Sequence, residues 1–120
     1  MKKIDCVIEI LKCCHKREEI LINNESVRKY NYYFDKIRKY ERILIAENRQ
    51  DELLPFLECD SISIRSDIAN ILFQWYPIQC TQVLQEIANM TTETGLPKSL
   101  VMLSVAAEVN LKYGVPKDYP

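Results

Sequence analysis

The residues best suited to chemistry lie near the start of the chain, where Cys13, Cys14 and His15 stand in succession. Thiolate and imidazole are zinc ligands, and a structural zinc site takes four of them in a tetrahedron. The next candidate, Cys6, lies seven residues before Cys13, about 10 Å along a helix, too far for a shared ion or a disulfide. Cys13 and Cys14, being adjacent, point to different sides, and no second ligand pair with finger-like spacing follows. No metal and no cofactor is expected, and the thiols read as buried or half-buried packing groups. Nucleophilic catalysis needs a thiol or hydroxyl beside a base and an orienting group, but His15 is the one imidazole and sits in a charged helical stretch. The carboxylate pairs Glu18-Glu19 and Asp51-Glu52 fall at polar boundaries, and glycine-rich phosphate loops are absent. The residue types point away from an enzyme and towards a binding protein.

Two regions have the composition of a binding surface. Arg28-Lys29-Tyr30 through Lys39-Tyr40-Glu41-Arg42 interleaves cations with aromatic rings, as a single-stranded nucleic-acid site does. Tyr30, however, falls in a helix seam, which leaves Tyr32, Tyr33 and Tyr40 on the flanks and favours a solvated packing face. The second region is acidic: Asp60, Asp67, Glu86 and Glu93 fall off the apolar stripes, and Trp75-Tyr76 at a helix end offers aromatic anchors of the kind enriched in interfaces. Such a face selects a basic protein partner and speeds encounter with it. Charge divides along the chain in the same sense. Residues 1–50 hold 12 basic and 8 acidic side chains, a balance of +4, whereas residues 51–120 hold 4 and 9, a balance of -5. The net charge of -1 gives no bulk attraction to nucleic acid. Oppositely charged halves also allow copies of the chain to mate head to tail as a homo-oligomeric scaffold.

The elements that position these residues follow from composition and periodicity. A length of 120 residues supports one domain, and 48% hydrophobic with 28% charged residues is ordinary globular usage. Two glycines and five prolines are little material for the turns of an all-β chain, so helix is favoured. No apolar run nears the roughly 18 residues that span a bilayer, and Asp5 and Glu9 interrupt what would have to be a signal core. A cytoplasmic protein with reduced thiols is expected; five cysteines, an odd number, cannot all pair internally.

Ile4, Val7, Ile8 and Leu11 predict a first helix from about Lys3 to Ile22, with a possible bend in the charged stretch 16–19. Asn23-Asn24 supplies a stop and a fresh start. Val27, Tyr30, Phe34, Ile37, Glu41 and Leu44 step by three and four along a second helix, a seam suited to packing along the first. Glu41, the odd polar member, either pairs with Lys12, His15 or Lys16 of the first helix or lies where the seam ends. Leu53-Leu54-Pro55-Phe56-Leu57 predicts a short helix with Pro55 near its first turn. Asp60 or Ser61 caps the next helix, which carries Ile64, Ile68, Ile71, Leu72 and Trp75. Pro77 opens another that buries Cys80, Val83, Leu84, Ile87 and Ala88. After the polar break from Thr91 to Gly95, Pro97 starts a last helix with Leu100, Leu103, Ala106, Ala107 and Leu111 inward, ended by Gly114 and Pro116.

Two helix pairs overlay. Leu53-Leu54 and Leu57 fall over Val83-Leu84 and Ile87 at a separation of 30 residues, and Ile68-Ala69 over Ala106-Ala107 at 38. Periods of this size are typical of helical-hairpin repeats, in which each unit buries its face on a neighbour. Leu53-Leu54-Pro55-Phe56-Leu57, Ser63-Ile64-Arg65-Ser66-Asp67-Ile68-Ala69 and Val83-Leu84-Gln85-Glu86-Ile87-Ala88, with Asn31-Tyr32-Tyr33-Phe34-Asp35 as the first element, resemble a family of small bacterial helical proteins related to HEAT repeats. The likeness spans about residues 27–113. Ile68-Ala69 departs from the family's pair of small residues, and the motifs are packing motifs without chemical specificity. The resemblance implies an immunity or adaptor protein of a bacterial toxin system. The expected fold is all-α, about six helices forming one domain over 1–120: a long hairpin in 1–50, then two HEAT-like hairpins in 51–120 stacked as a short superhelix. The expected function is non-catalytic masking of a basic toxin domain by an acidic face made of Asp60, Asp67, Trp75, Tyr76, Glu86 and Glu93.

Overall fold

Asp5, which breaks the apolar run at the start of the chain, is a helix cap. Its carboxylate accepts hydrogen bonds from the Val7 and Ile8 amides at 3.0 and 3.3 Å, donors that the first turn would leave orphaned. The computed structural model describes residues 5–114, and helix α1 runs unbroken through Cys6–Ile22, without a bend in the charged stretch. The expected start at Lys3 and Ile4, and Pro116 at the far end, lie outside the described residues. The buried face of α1 is not the stripe of Val7, Ile8 and Leu11. It consists of Cys6, Ile10, Cys13, Cys14, Arg17 and Ile20, with Ile8 exposed. Both faces carry apolar residues at helical spacing, and the face richer in small side chains, three of them cysteines, is the one that packs closely.

Helix α2, Val27–Ala46, starts at Ser26, whose hydroxyl accepts from the Lys29 amide at 3.2 Å. Its seam enters the core only in its second half, through Ile37, Tyr40, Glu41 and Leu44, while Tyr30 and Phe34 are half-buried and Val27 is exposed. Glu41 is buried in the seam. Its carboxylate takes the Arg38 guanidinium of its own helix at 3.0 and 3.2 Å, while Lys12, His15 and Lys16 pair with Glu9 and Glu19 on α1.

The block around Leu53 forms a 3-10 helix over Gln50–Glu58, with Pro55 in its interior rather than its first turn. Leu53 and Leu57 point inward from it. Ser61 caps helix α3, Ile62–Leu72, by accepting from the Ile64 amide at 3.2 Å. Trp75 lies beyond the end of α3, in the turn before α4. Helix α4, Pro77–Ala88, begins on its proline, where the missing donor is not needed. The break after it is built by a reciprocal Thr91–Thr94 capping box and by Gly95 at φ +102°, a left-handed conformation that suits glycine. A single 3-10 turn, Lys98–Leu100, precedes helix α5, Val101–Tyr113, which ends at Gly114. α5 buries Leu103, Ser104 and Ala107; Ala106 is exposed, and Leu111 is half-buried against the core.

The fold is all-α: five α-helices and the nine-residue 3-10 helix make six, and no described residue forms a strand. α1 packs on α2, the 3-10 helix Gln50–Glu58 on α3, and α4 on α5, while α1–α3 and α3–α4 contacts join these pairs. That order is compatible with stacked hairpins. The fully buried residues Ile10, Leu44, Leu53, Ile68, Leu72, Leu84 and Ile87 come from α1, α2, the 3-10 helix, α3 and α4, so a single core spans the pairs.

Candidate binding groove

Arg65, near the start of α3, organises an open concave surface with a carboxylate on each wall. Its Nε donates to the Leu57 carbonyl at 3.2 Å, and its guanidinium pairs with Glu86 of α4. One side chain thus ties the end of the 3-10 helix, α3 and α4 together. Between the 3-10 helix and α4 lies an open groove of about 770 Å³. Leu54, Pro55 and Glu58 form one wall, Gln79, Gln82 and Glu86 the other, with Arg65 between. Glu58 and Glu86 are both exposed, and exposed Asp60 follows Glu58 by two residues. The groove therefore has an apolar strip, neutral amides able to donate or accept, and two carboxylates against one cation that is already engaged.

The six residues expected to form the acidic face are distributed differently. Glu86 lines the groove, and Asp60 is exposed in the turn that leaves the 3-10 helix. Tyr76 is half-buried and donates its hydroxyl to Asp51 Oδ1 at 2.7 Å, tying the α3–α4 turn to the 3-10 helix; that bond holds the phenol's pKa up. Trp75 is half-buried and packed against the core. Glu93 is exposed in the α4–α5 connection and is not among the groove's lining residues. Asp67 is not on the surface: it is buried, with its Oδ1 2.5 Å from Arg17 Nη1. It falls off the apolar stripe because it serves a buried cation, a partner that its own segment does not reveal. Glu58 is the groove residue that the sequence reading passed over, since the apolar block ended at Leu57. Its spacing of one turn from Leu54 and Pro55 is the available signal.

The Arg17–Asp67 pair is sandwiched in the core. The Arg17 guanidinium lies 3.9 Å from the centre of the Tyr30 ring and 5.0 Å from that of Phe34, in cation–π range. Burial pushes the Asp67 carboxyl above the usual aspartate range, and Arg17 only partly offsets this. Burial likewise pushes Tyr30 up to about 12, Cys80 up to about 11, and Cys13 and Cys14 upward, Cys14 strongly. A raised pKa disfavours the thiolate at these three cysteines. His15 is exposed, with Nε2 3.1 Å from Glu19. Among the described residues, no three His, Cys, Asp or Glu side chains gather as a metal ion requires.

The basic face of α2 keeps Arg28, Lys29, Tyr32 and Lys39 exposed. Lys36 stands 5.6 Å from the Tyr32 ring and 5.9 Å from Tyr33, and Lys39 stands 5.6 Å from Tyr40, which is buried. No helix among the described residues is long and apolar enough to cross a membrane. Comparison with known protein families, with curated proteins and with solved structures gives no match for this chain.

Proposed function

We propose that the protein is a non-catalytic binding module that masks a basic protein partner, with the groove between the 3-10 helix and α4 as its contact surface. The observation that carries this reading is an open groove of about 770 Å³ with Glu58 on one wall and Glu86 on the other, whose one cation, Arg65, is already paired with Glu86 and whose other lining residues are apolar or amide. Carboxylates at the rim steer a cationic surface into register, and the Leu54-Pro55 strip supplies apolar area for it to cover. A toxin nuclease with a cationic substrate cleft has the complementary chemistry, so the module acts as an immunity protein that occludes the cleft without turnover. Burial of four of the five thiols, Cys6, Cys13, Cys14 and Cys80, supports a role without nucleophilic chemistry. The acidic half of the chain, at -5, supports the sign of the partner.

The test is co-expression with a toxin-like product encoded immediately upstream. Protection and co-purification are expected for the native chain and are lost in Glu58→Lys/Glu86→Lys, with circular dichroism unchanged. Glu93→Lys, outside the groove, retains both. Binding that survives the double reversal removes the groove from the account. A second reading rests on the exposed Tyr32 ring, with Lys36 nearby and Arg28, Lys29 and Lys39 exposed on the same helix: single-stranded nucleic acid would stack there. Affinity for mixed RNA or DNA that falls steeply with added salt, and falls again in Tyr32→Ala, would favour it.

A further inference from the structure

We infer that the outer face of α5 is the interface of a symmetric homodimer. α5 packs inward on α4 and α3 through Leu103, Ser104 and Ala107. Its outer side carries Val101, Val105, Val109 and Tyr113 at successive intervals of four, with Met102 and Ala106 alongside. All six are exposed, Val105 by 53% and Tyr113 by 75%. A row of this spacing is the ridge that seats in the groove of a facing helix. The apolar surface continues beyond Met102, which shares an open hollow with the exposed Ile22 and Val27.

The occupant follows from a contrast between α2 and α5. Helices that end a stack keep a polar outer face. α2 has a largely charged one, with Arg28, Lys29, Lys39 and Arg42 exposed around Tyr32 and Ile43, whereas the outer face of α5 is apolar along its centre. A second copy laid head to tail would press this row onto the α2 cations and dehydrate them, with Glu108 the one carboxylate of α5 to meet them. Two copies joined α5 to α5 about a two-fold axis cover like with like, the isologous arrangement commonest among soluble oligomers. Charge favours the same arrangement. Glu108 and Lys112 stand one turn apart along one edge of the row. With the helices antiparallel and Val109 on the two-fold, a rise of about 1.5 Å per residue sets Val105 opposite Tyr113 of the second copy. It also brings each Glu108 level with Lys112 of the second copy to about 3 Å along the axis. The arrangement closes at two copies, because the α2 faces left outside are charged.

Light scattering and sedimentation of the full chain over a concentration series test this. The expected mass rises from that of the 14.1 kDa chain to twice that value and no further. Val109→Glu changes a residue exposed in the single chain, so circular dichroism is expected to be unchanged, while two carboxylates meeting at the axis raise the dissociation constant by about a hundredfold. Glu108→Lys weakens the dimer several-fold, and Glu108→Lys/Lys112→Glu restores it. A single-chain mass at every concentration overturns the proposal and leaves the face to residues 115–120 or to another protein. A dimer that Val109→Glu leaves intact, or masses that grow past twice the chain, overturn it as well.

Discussion

At the scale of the residue, the decisive observation is that Arg17 and Asp67 are a structural pair. Continuum reasoning for buried pairs gives opposite outcomes for removing one partner and for removing both. Arg17→Met keeps the apolar stem against Tyr30 but leaves a buried carboxylate uncompensated, at an expected cost of about 3–5 kcal/mol near neutral pH. Arg17→Met/Asp67→Leu is expected to be neutral or stabilising, and denaturant melts of the four-member cycle check both. The pH dependence has a definite sign. Because burial lifts the folded pKa of Asp67 above its ordinary 3.8, the folded state binds the proton more tightly than the unfolded chain in the range between the two values. The group's contribution therefore improves as pH falls through the raised folded value towards 3.8, and worsens as pH rises through it. Relative to Asp67→Asn, the native chain should gain stability on acidification from about pH 7 to about pH 4; a loss would contradict the assignment. The thiols give a second measurement. Of the five free cysteines, Cys59 alone is half-buried, so a thiol reagent should modify it first and reach the other four only as the chain unfolds. Neither the pair nor the cysteine face was legible in the sequence. Charge type gives no burial by itself, and Arg17 is separated from Asp67 by 50 residues.

At the scale of the element, what was legible was what local chemistry dictates. Asn23-Asn24 as the end of α1, a cap for α3 at Asp60 or Ser61, Pro77 as the first residue of α4 and Gly114 as the end of α5 all follow from backbone donors and φ preferences; the structure places the ends so and uses Ser61, but α2 is capped by Ser26 and not by the asparagines. What was not legible depends on neighbours. The α1 stripe lies on the other face because both faces are apolar, and Ala106 points outward because α5 has neighbours on one side only. Ser61 offers a test of how much a cap supports beyond its own helix. Its hydroxyl accepts from Ile64 and also lies 2.6 Å from Glu18 Oε2 on α1. Ser61→Ala is expected to cost about 1–2 kcal/mol, at the upper end for caps, and Ser26→Ala, with one such bond to the Lys29 amide, about 0.5–1 kcal/mol. Equal shifts in melting temperature would show that the Glu18 contact contributes nothing.

At the scale of the whole molecule, the helical class was legible because period and punctuation agree along the chain. The groove was only half legible: Glu86 was visible as an acidic residue, but the wall opposite it, with Glu58, depends on how the 3-10 helix lies beside α4. The two proposed surfaces, a groove for a basic partner and the apolar α5 face for a second copy, lie on different helices, so a charge reversal in one should leave the other's binding unchanged. The most direct measurement is amide-shift mapping of the isotope-labelled protein titrated with the proposed partner, a toxin-like product encoded immediately upstream. The expected shifts cluster on Leu54, Glu58, Gln79, Gln82 and Glu86, weaken with added salt and vanish in Glu58→Lys/Glu86→Lys. Shifts confined to α2 or α5, or a pattern that the double reversal leaves intact, would contradict the account.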